Sequence, residues 1–148
     1  MRADHTMTRT VVVVPPNLPL LNAWELMGRL RIRHLPVVQA GVLLGMLSDR
    51  DVLLRSELEG DEITPADTTV AESMSPAPWV CDRSTHVADI VRTMTERKID
   101  AMPVMDAADK LVGLVTSTDL LLLLIEHDEA RPLPFEFEIE EVAPAIRA

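Results

Sequence analysis

The sequence is poor in cysteine, aromatic residues and glycine. Its 148 residues include one cysteine, no tyrosine and five glycines, and only 3% of them are aromatic. A single cysteine excludes an internal disulfide framework and is typical of a reducing compartment, so we expect Cys81 to be a small buried apolar residue. The core must therefore be aliphatic, and a hydrophobic fraction of 47% is ample for it. A chain of this length forms one ordinary domain or two small ones.

Long apolar runs are also missing. The longest run, 120–125, is far shorter than the roughly 20 residues that a membrane-spanning helix needs. The opening residues, 1–5, lack the apolar stretch of a signal peptide. We therefore expect a cytoplasmic protein that has no membrane partner.

Basic residues are fewer than acidic residues. The chain has 14 Lys and Arg against 24 Asp and Glu, which gives a net charge of -10. Nucleic-acid binders need basic residues to neutralise phosphates, so this balance argues against a nucleic-acid partner. The scattered His5, His86 and His127 do not have the spacing of metal ligands, and no catalytic group of residues is recognisable. We expect neither a metal site nor an enzyme.

What the chain does have is an internal duplication. The segment 45–52, Gly-Met-Leu-Ser-Asp-Arg-Asp-Val, returns at 113–120 as Gly-Leu-Val-Thr-Ser-Thr-Asp-Leu. Upstream pairs such as Met7 with Met74 and Met27 with Met94 lie 67 positions apart, whereas Gly45 and Gly113 lie 68 apart. A constant offset over most of the chain predicts two copies of one structural unit that share a core.

Hydrophobic periodicity predicts the same elements in both copies. In the first copy we expect a strand at 11–14, a helix at 20–30, strands at 35–38 and 42–47, and a helix from 48 to about 59 that ends at Gly60. In the second copy we expect a strand at 79–81, a helix at 87–98, strands at 102–105 and 111–115, and a helix from 116 to about 128. Each copy is then a β-α-β-β-α unit, and the fold class is α/β (α+β).

Two segments lie outside these units. The polar segment 61–69, which contains Pro65, is typical of a linker. From residue 130 onward, apolar and acidic residues alternate over 135–140 among several prolines. That alternation fits a half-buried edge strand, and a flexible acidic tail is the equal alternative.

A hydroxyl residue followed by an aspartate three positions later marks the start of the last helix in each copy: Ser48 and Asp51, then Thr116 and Asp119. One interpretation is a capping box, in which each side chain bonds the other residue's backbone N–H. The other is a ligand site, because helix N-termini attract anions and a carboxylate can accept hydrogen bonds from a ribose diol. The two interpretations are compatible, since one carboxylate oxygen can cap the helix while the other binds a ligand.

These motifs resemble those of the CBS domain, which occurs in tandem pairs called Bateman modules. The resemblance rests on the Met-Thr/Ser that opens each copy, the Ile-x-x-x-Pro-Val segment and the Gly-h-h-Ser/Thr-x-x-Asp-h motif, in which h is apolar. It implies a CBS domain at 7–62, a second at 68–128 and a separate acidic tail at 129–148. The two repeats are expected to pack as a pseudo-twofold pair.

The resemblance further implies a regulatory nucleotide sensor. In the family, the hydroxyl residue contacts the phosphate, the aspartate holds the ribose hydroxyls, and the adenine lies in an apolar cleft between the repeats. One cleft would combine Thr116 and Asp119 with Thr10, Val12, Ile32 and Arg33, and the other would combine Ser48 and Asp51 with Trp79, Ile99 and Asp100.

The two copies differ at positions close to the expected phosphate. Between the hydroxyl residue and the aspartate, the first copy has Arg50, a fixed cation that can meet phosphate oxygens, whereas the second has Thr118. Two positions before the proline, the first copy has His34 and the second has Ala101. The family sometimes uses a basic residue there for phosphate, so His34 is a candidate ligand, with a structural hydrogen-bonding role as the alternative.

We therefore expect a module that binds AMP, ADP or ATP, with S-adenosylmethionine less favoured, and that acts on a partner protein through a change of shape or assembly. No cofactor is required. The alternative is a structural CBS module that binds no nucleotide. The apolar run 120–125 exceeds the single stripe that one packed helix face needs, so we expect a homodimer, unless the tandem pair covers the surplus.

Overall fold

The structure is a computed structural model that describes residues 1–127. The predictions for the acidic tail, including the edge strand at 135–140, lie outside the described residues.

Each half of the chain contains a short opening helix, a long helix, a hairpin and a helix that follows the hairpin. The first half contains α1 (Ala3–Thr6), α2 (Leu20–Leu30), β1 (His34–Gln39), β2 (Val42–Ser48), α3 (Asp49–Leu53), β3 (Ser56–Glu59) and β4 (Glu62–Pro65). The second half contains α4 (Val70–Ser73), β5 (Ser75–Pro76), β6 (Cys81–Asp82), α5 (Val87–Arg97), β7 (Ala101–Met105), β8 (Leu111–Thr116) and α6 (Ser117–Glu126). The predicted α/β fold class with two repeats is confirmed.

The long helices of the two repeats, α2 and α5, are built alike. Helix α2 buries Leu20, Ala23 and Met27, a spacing that places one apolar stripe on the core. Helices α2 and α5 stop at residues with left-handed backbone, Arg31 at φ 54° and Lys98 at φ 56°. The predicted helix at 20–30 is confirmed, and the one at 87–98 ends one residue earlier than expected.

Antiparallel hairpins follow both helices, and the four strands predicted for them are confirmed to within one residue. In each hairpin a valine faces the motif glycine, Val37 opposite Gly45 and Val104 opposite Gly113. The register shifts just after each valine. Because side chains alternate between the two faces of a strand, this register brings one face of each hairpin onto the core.

The first strand predicted for each repeat is shorter than expected. In the first repeat, 11–14 reduces to one parallel bridge between Val14 and Val37. In the second, strand β6 starts at Cys81, so Trp79 and Val80 lie outside it. Prolines adjoin both segments, at 15–16 and at 76 and 78, and a proline has no N–H to extend a ladder. Cys81 is buried, as predicted.

The predicted helix 48–59 is wrong beyond α3. The chain turns into a hairpin of β3 and β4 instead, so part of the predicted linker 61–69 is strand. The Ser56 hydroxyl donates to the Val52 carbonyl at 2.7 Å, where α3 has ended. A two-residue turn follows, and its first residue, Gly60, has φ 64°, which is typical of a type II′ hairpin turn.

The opening segment of each repeat packs against the other repeat. Ala3 and Met7 belong to the core of the second repeat, together with Ile90 and Val115. Val70, the equivalent of Ala3, belongs to the core of the first repeat. These short helices, α1 and α4, were missed by sequence analysis because four residues are too few to show a helical period.

Backbone pairing extends the same exchange into the sheets. The Thr8 N–H donates to the Leu114 carbonyl at 2.8 Å, and the Leu114 N–H donates back at 3.0 Å, which joins the first opening segment to β8. Strand β5 pairs with β2 in the same way, with Ser75 opposite Met46. Each repeat thus contributes its opening segment to the other's sheet.

The motif glycines test this exchange, because the opening segment of the other repeat passes over each of them. A Cβ at Gly45 would lie 2.7 Å from the Ser75 carbonyl oxygen, whereas at Gly113 the nearest atom, at 2.5 Å, is the side-chain Sδ of Met7. Backbone cannot move aside as a methionine can. We expect Gly45→Ala to lose about 1–3 kcal/mol of unfolding free energy and Gly113→Ala clearly less, measured by urea denaturation. Equal losses, or a larger one for Gly113→Ala, would contradict this packing.

Candidate functional site

Two clefts open between the repeats, one at the start of each motif helix. The Thr116 cleft, named for the start of α6, has a volume of about 240 Å³. The Ser48 cleft, at the start of α3, has a volume of about 500 Å³. The Thr116 cleft is lined by Thr8, Thr10, Val11, Val12, Arg31, Ile32, Arg33, His34, Leu114, Thr116, Thr118 and Asp119. The Ser48 cleft is lined by Arg33, His34, Met46, Ser48, Asp49, Arg50, Asp51, Leu54, Ser75, Pro76, Ala77, Pro78, Trp79, Lys98, Ile99, Asp100 and Ala101.

Both hydroxyl–aspartate pairs form capping boxes, as the first interpretation predicted. The Asp51 N–H donates to the Ser48 hydroxyl at 3.1 Å, and the Ser48 N–H donates to Oδ2 of Asp51 at 2.8 Å. In the second repeat the Asp119 N–H donates to Thr116 Oγ1 at 3.3 Å, and the Thr116 N–H donates to Oδ2 of Asp119 at 2.8 Å. The caps hold each carboxylate at the mouth of its cleft.

The walls opposite the caps come from the left-handed corners that end α2 and α5. Arg31 and Ile32 line the Thr116 cleft, and their equivalents Lys98 and Ile99 line the Ser48 cleft. Each cleft therefore combines an acidic cap from one repeat with a cation and an isoleucine from the other.

An aromatic side chain adds to the wall of the Ser48 cleft. The Arg97 guanidinium lies 4.3 Å from the centroid of the Trp79 ring. This cation–π contact fixes one ring face and adds stability of order 0.5–1 kcal/mol at an exposed site. The indole, which is about half exposed, remains at the edge of the cleft.

Comparison with known proteins identifies the fold family. The sequence model of the CBS domain matches residues 3–57 and 66–126. The chain belongs to the CBS-domain family. The CBS domain-containing protein YhcV of Bacillus subtilis (strain 168) is 34% identical over 125 residues, which cover 84% of this chain and 86% of YhcV.

Solved structures match the CBS pair along most of its length. CBSX2 in complex with AMP gives a TM-score of 0.77 at 26% identity, covering 86% of this chain and 99% of that one. The cytosolic domain of the Mg²⁺ channel MgtE in complex with ATP gives a TM-score of 0.67 at 28% identity, covering 83% of this chain and 48% of that one.

Every residue that sequence analysis assigned to a site lines one of the two clefts. Thr10, Val12, Ile32 and Arg33 line the cleft of Thr116, Thr118 and Asp119. Trp79, Ile99 and Asp100 line the cleft of Ser48, Arg50 and Asp51. His34 lines both clefts.

Sequence analysis missed several lining residues. Thr8 and Ser75 belong to the Met-Thr/Ser opening of each CBS repeat, and that motif was recognised without being assigned to a cleft. Arg31 and Lys98 could have been found from the sequence. Each is a basic residue at the end of a helix, one position before the isoleucine of the Ile-x-x-x-Pro-Val motif. Arg33 was assigned to one cleft and lines both.

Other kinds of site find little support in the part of the chain that the structure describes. Over residues 1–127, no group of three or more His, Cys, Asp or Glu could hold a metal ion. Burial, with a smaller contribution from Asp82, raises the pKa of Cys81 to about 11, so this thiol is protonated at neutral pH. No described helix is long and apolar enough to cross a membrane. The cytoplasmic location stays a prediction.

His34 is the titratable group shared by the two clefts. Burial lowers its pKa below the ordinary value of 6.5, and the neighbouring Arg33 guanidinium lowers it further. The carboxylates of Asp100, Asp49 and Asp51 act in the opposite direction without reversing the shift. Near neutral pH the imidazole is therefore mainly uncharged, and it can both donate and accept a hydrogen bond between the clefts.

This shift predicts a pH-dependent stability. Below about pH 6.5 the unfolded chain takes up a proton at His34 more readily than the folded chain does. The contribution of His34 to the unfolding free energy is therefore complete above pH 6.5, and it is lost as the pH falls through the folded pKa. We expect the unfolding free energy of the wild type to decrease between pH 6.5 and 5, and that of His34→Gln to decrease less, by urea denaturation at several pH values. Parallel profiles would show that His34 does not titrate as its surroundings imply.

Proposed function

We propose that this CBS pair binds an adenosyl nucleotide, AMP, ADP or ATP, and transmits its occupancy to a partner protein. The observation that carries the proposal is the composition of each cleft: a capped carboxylate, a hydroxyl group, an isoleucine and at least one guanidinium group, drawn from both repeats. The crystal structure of CBSX2 with AMP and that of MgtE with ATP support it, because both relatives share the fold at more than 25% identity.

The carboxylates suit a ribose. Each aspartate is fixed by its cap through Oδ2, so its orientation is set before a ligand arrives. A vicinal diol can donate two hydrogen bonds to one carboxylate, and hydrogen bonds to a charged acceptor contribute about 1.5–3 kcal/mol each. The capping role and the ribose role therefore use the same side chain without conflict.

The cations suit phosphate groups. Arg50, Arg33 and Lys98 line the Ser48 cleft, and Arg31 and Arg33 line the Thr116 cleft. A guanidinium offers paired donors to phosphate oxygens. S-adenosylmethionine carries a positive sulfonium in place of phosphate, and these cations would repel it, which is why it is the less favoured ligand.

The apolar wall suits a base. Ile99 and Trp79 are apolar lining residues of the Ser48 cleft, and Ile32 and Val12 are apolar lining residues of the Thr116 cleft. Ligand pockets in proteins generally have volumes of about 300–1,000 Å³ and combine apolar walls with a few polar groups. The Ser48 cleft lies within that range at about 500 Å³.

Nucleotide affinity tests the proposal. We expect calorimetric titration with AMP, ADP and ATP to show binding to the wild type, and Asp51→Ala and Asp119→Ala each to weaken binding at one cleft by about tenfold or more, because a charged acceptor is lost. The capping loss should cost only about 1 kcal/mol of stability. Thermal denaturation of each variant checks that it is folded.

Two results would contradict nucleotide sensing. One is a wild type that binds none of the three nucleotides, which would favour the alternative of a structural CBS module. The other is unchanged affinity in the Asp51→Ala, Asp119→Ala double variant while the fold is retained.

Transmission to a partner requires an exposed surface, and the last helix provides one. None of the residues of α6 is buried, and Leu121, Leu122, Leu124 and Ile125 are each about half exposed or more. In the first repeat, Leu53 at the end of α3 and Leu54 just after it are exposed as well. We propose that a second copy covers these leucines, since a contiguous apolar surface on a helix generally marks an interface. A twofold axis would bury the same face on both copies.

The homodimer can be tested with one substitution. We expect sedimentation at micromolar concentrations to give twice the monomer mass of 16.4 kDa, and Leu124→Asp to give the monomer, because a carboxylate cannot be buried without a partner. An exposed leucine away from this helix, Leu21, provides the control Leu21→Asp, which should leave the dimer intact. A wild-type monomer throughout this range would refute the dimer.

A further inference from the structure

The two aspartates differ in what they already bind. Asp119 is engaged through both carboxylate oxygens: Oδ2 accepts from the Thr116 N–H at 2.8 Å and from Thr116 Oγ1 at 2.9 Å, and Oδ1 accepts from the Thr8 hydroxyl at 3.3 Å. A ribose that entered this cleft would have to displace or share the Thr8 donor.

Asp51 has a free oxygen. Its Oδ2 accepts from the Ser48 N–H at 2.8 Å, and within residues 1–127 no hydrogen bond reaches its Oδ1. Ser75 is the equivalent of Thr8 and lines the same cleft as Asp51, yet in this part of the chain its hydroxyl makes no hydrogen bond to that carboxylate. The Ser48 cleft therefore offers a carboxylate oxygen with no competing donor.

The Thr8 hydroxyl is held where it is. Two backbone hydrogen bonds to Leu114, at 2.8 and 3.0 Å, fix the residue against β8. Threonine is β-branched, so few rotamers are open to it, whereas the serine at 75 can turn its hydroxyl to any staggered position. The difference in how the two carboxylates are bonded thus resides in a single side chain, Thr8 against Ser75, at a matching backbone position.

The volumes of the clefts and the charged residues that they share also favour binding at the Ser48 cleft before the Thr116 cleft. The Thr116 cleft has about 240 Å³ and the Ser48 cleft about 500 Å³. Arg33 and His34 line both clefts, so a phosphate bound in one of them uses groups that the other would need. The first ligand is accordingly expected to make the second bind less tightly.

We infer that the two clefts fill in sequence. An adenosyl nucleotide occupies the Ser48 cleft first, and the Thr116 cleft binds one only at higher concentrations, because the Thr8 hydroxyl is already bonded to Asp119. This inference rests on the proposed function. The module would then bind one ligand with two different affinities, and Thr8 would be the residue that makes those affinities differ.

The experiment is calorimetric titration of the full chain with AMP. We expect a tight site with a stoichiometry of one and a second site at least about tenfold weaker, since each unpaired donor or acceptor that must be rearranged carries a cost of this order. Asp51→Ala should remove the tight site, and Asp119→Ala the weak one. Thr8→Val keeps the β-branched shape without the hydroxyl, so it should tighten the second site about three- to tenfold and leave the first unchanged.

Two further variants sharpen the test. Thr95→Val makes the same change at an exposed position of α5, where the hydroxyl bonds only to helix carbonyls, and should leave both affinities as they are. Ser75→Thr puts the branched hydroxyl residue beside Asp51 and should weaken the tight site. Thermal denaturation verifies folding, and Thr8→Ala replaces Thr8→Val if that variant unfolds.

Four outcomes overturn the inference while nucleotide binding stands: two sites of equal affinity, loss of the tight site in Asp119→Ala, an unchanged weak site in both Thr8→Val and Thr8→Ala, or an unchanged tight site in Ser75→Thr. A wild type that binds no adenosyl nucleotide overturns the proposed function instead.

Discussion

The exchange of opening segments between the repeats is the constraint on which the rest of the structure depends. Ala3 and Met7 complete the core of the second repeat, and Val70 completes that of the first. Neither repeat can bury its apolar face alone, so the two fold as one unit. Because β5 and Thr8 pair with β2 and β8 just before the motif helices start, the exchanged segments form part of the wall of each cleft. Anything that loosens it loosens both sites.

The capping boxes connect stability with recognition. Ser48 with Asp51 and Thr116 with Asp119 satisfy backbone donors that would otherwise lack partners at the start of a helix. The same bonds hold each carboxylate in a single orientation, and a pre-oriented group loses less entropy when a ligand binds. In the nucleotide site that we propose, a capping box and a ligand site are two uses of one arrangement, which the sequence motif alone could not separate.

Most of the fold could be predicted from the duplication and the local patterns, and the failures have physical causes. Both hairpins and both long helices follow from hydrophobic periodicity, and the pairing of clefts across repeats followed from the resemblance to CBS domains. The β3–β4 hairpin was missed because Glu57, Leu58 and Glu59 are ordinary helix residues, and only Gly60 marked the turn. The exchange was missed because it joins residues far apart in the sequence, such as Thr8 with Leu114 and Met46 with Ser75, and no local pattern records such contacts.

The difference in size between the clefts cannot come from the capping boxes, whose backbone-to-carboxylate bonds are 2.8 Å in both repeats. The walls differ instead. Arg33 and His34 line both clefts, whereas Asp100, Ala101 and the segment 75–79 line only the Ser48 cleft. A duplicated motif can thus keep its capping box, which the fold needs, while the walls around it diverge. In this chain the walls and Thr8, rather than the capping boxes, distinguish the two clefts.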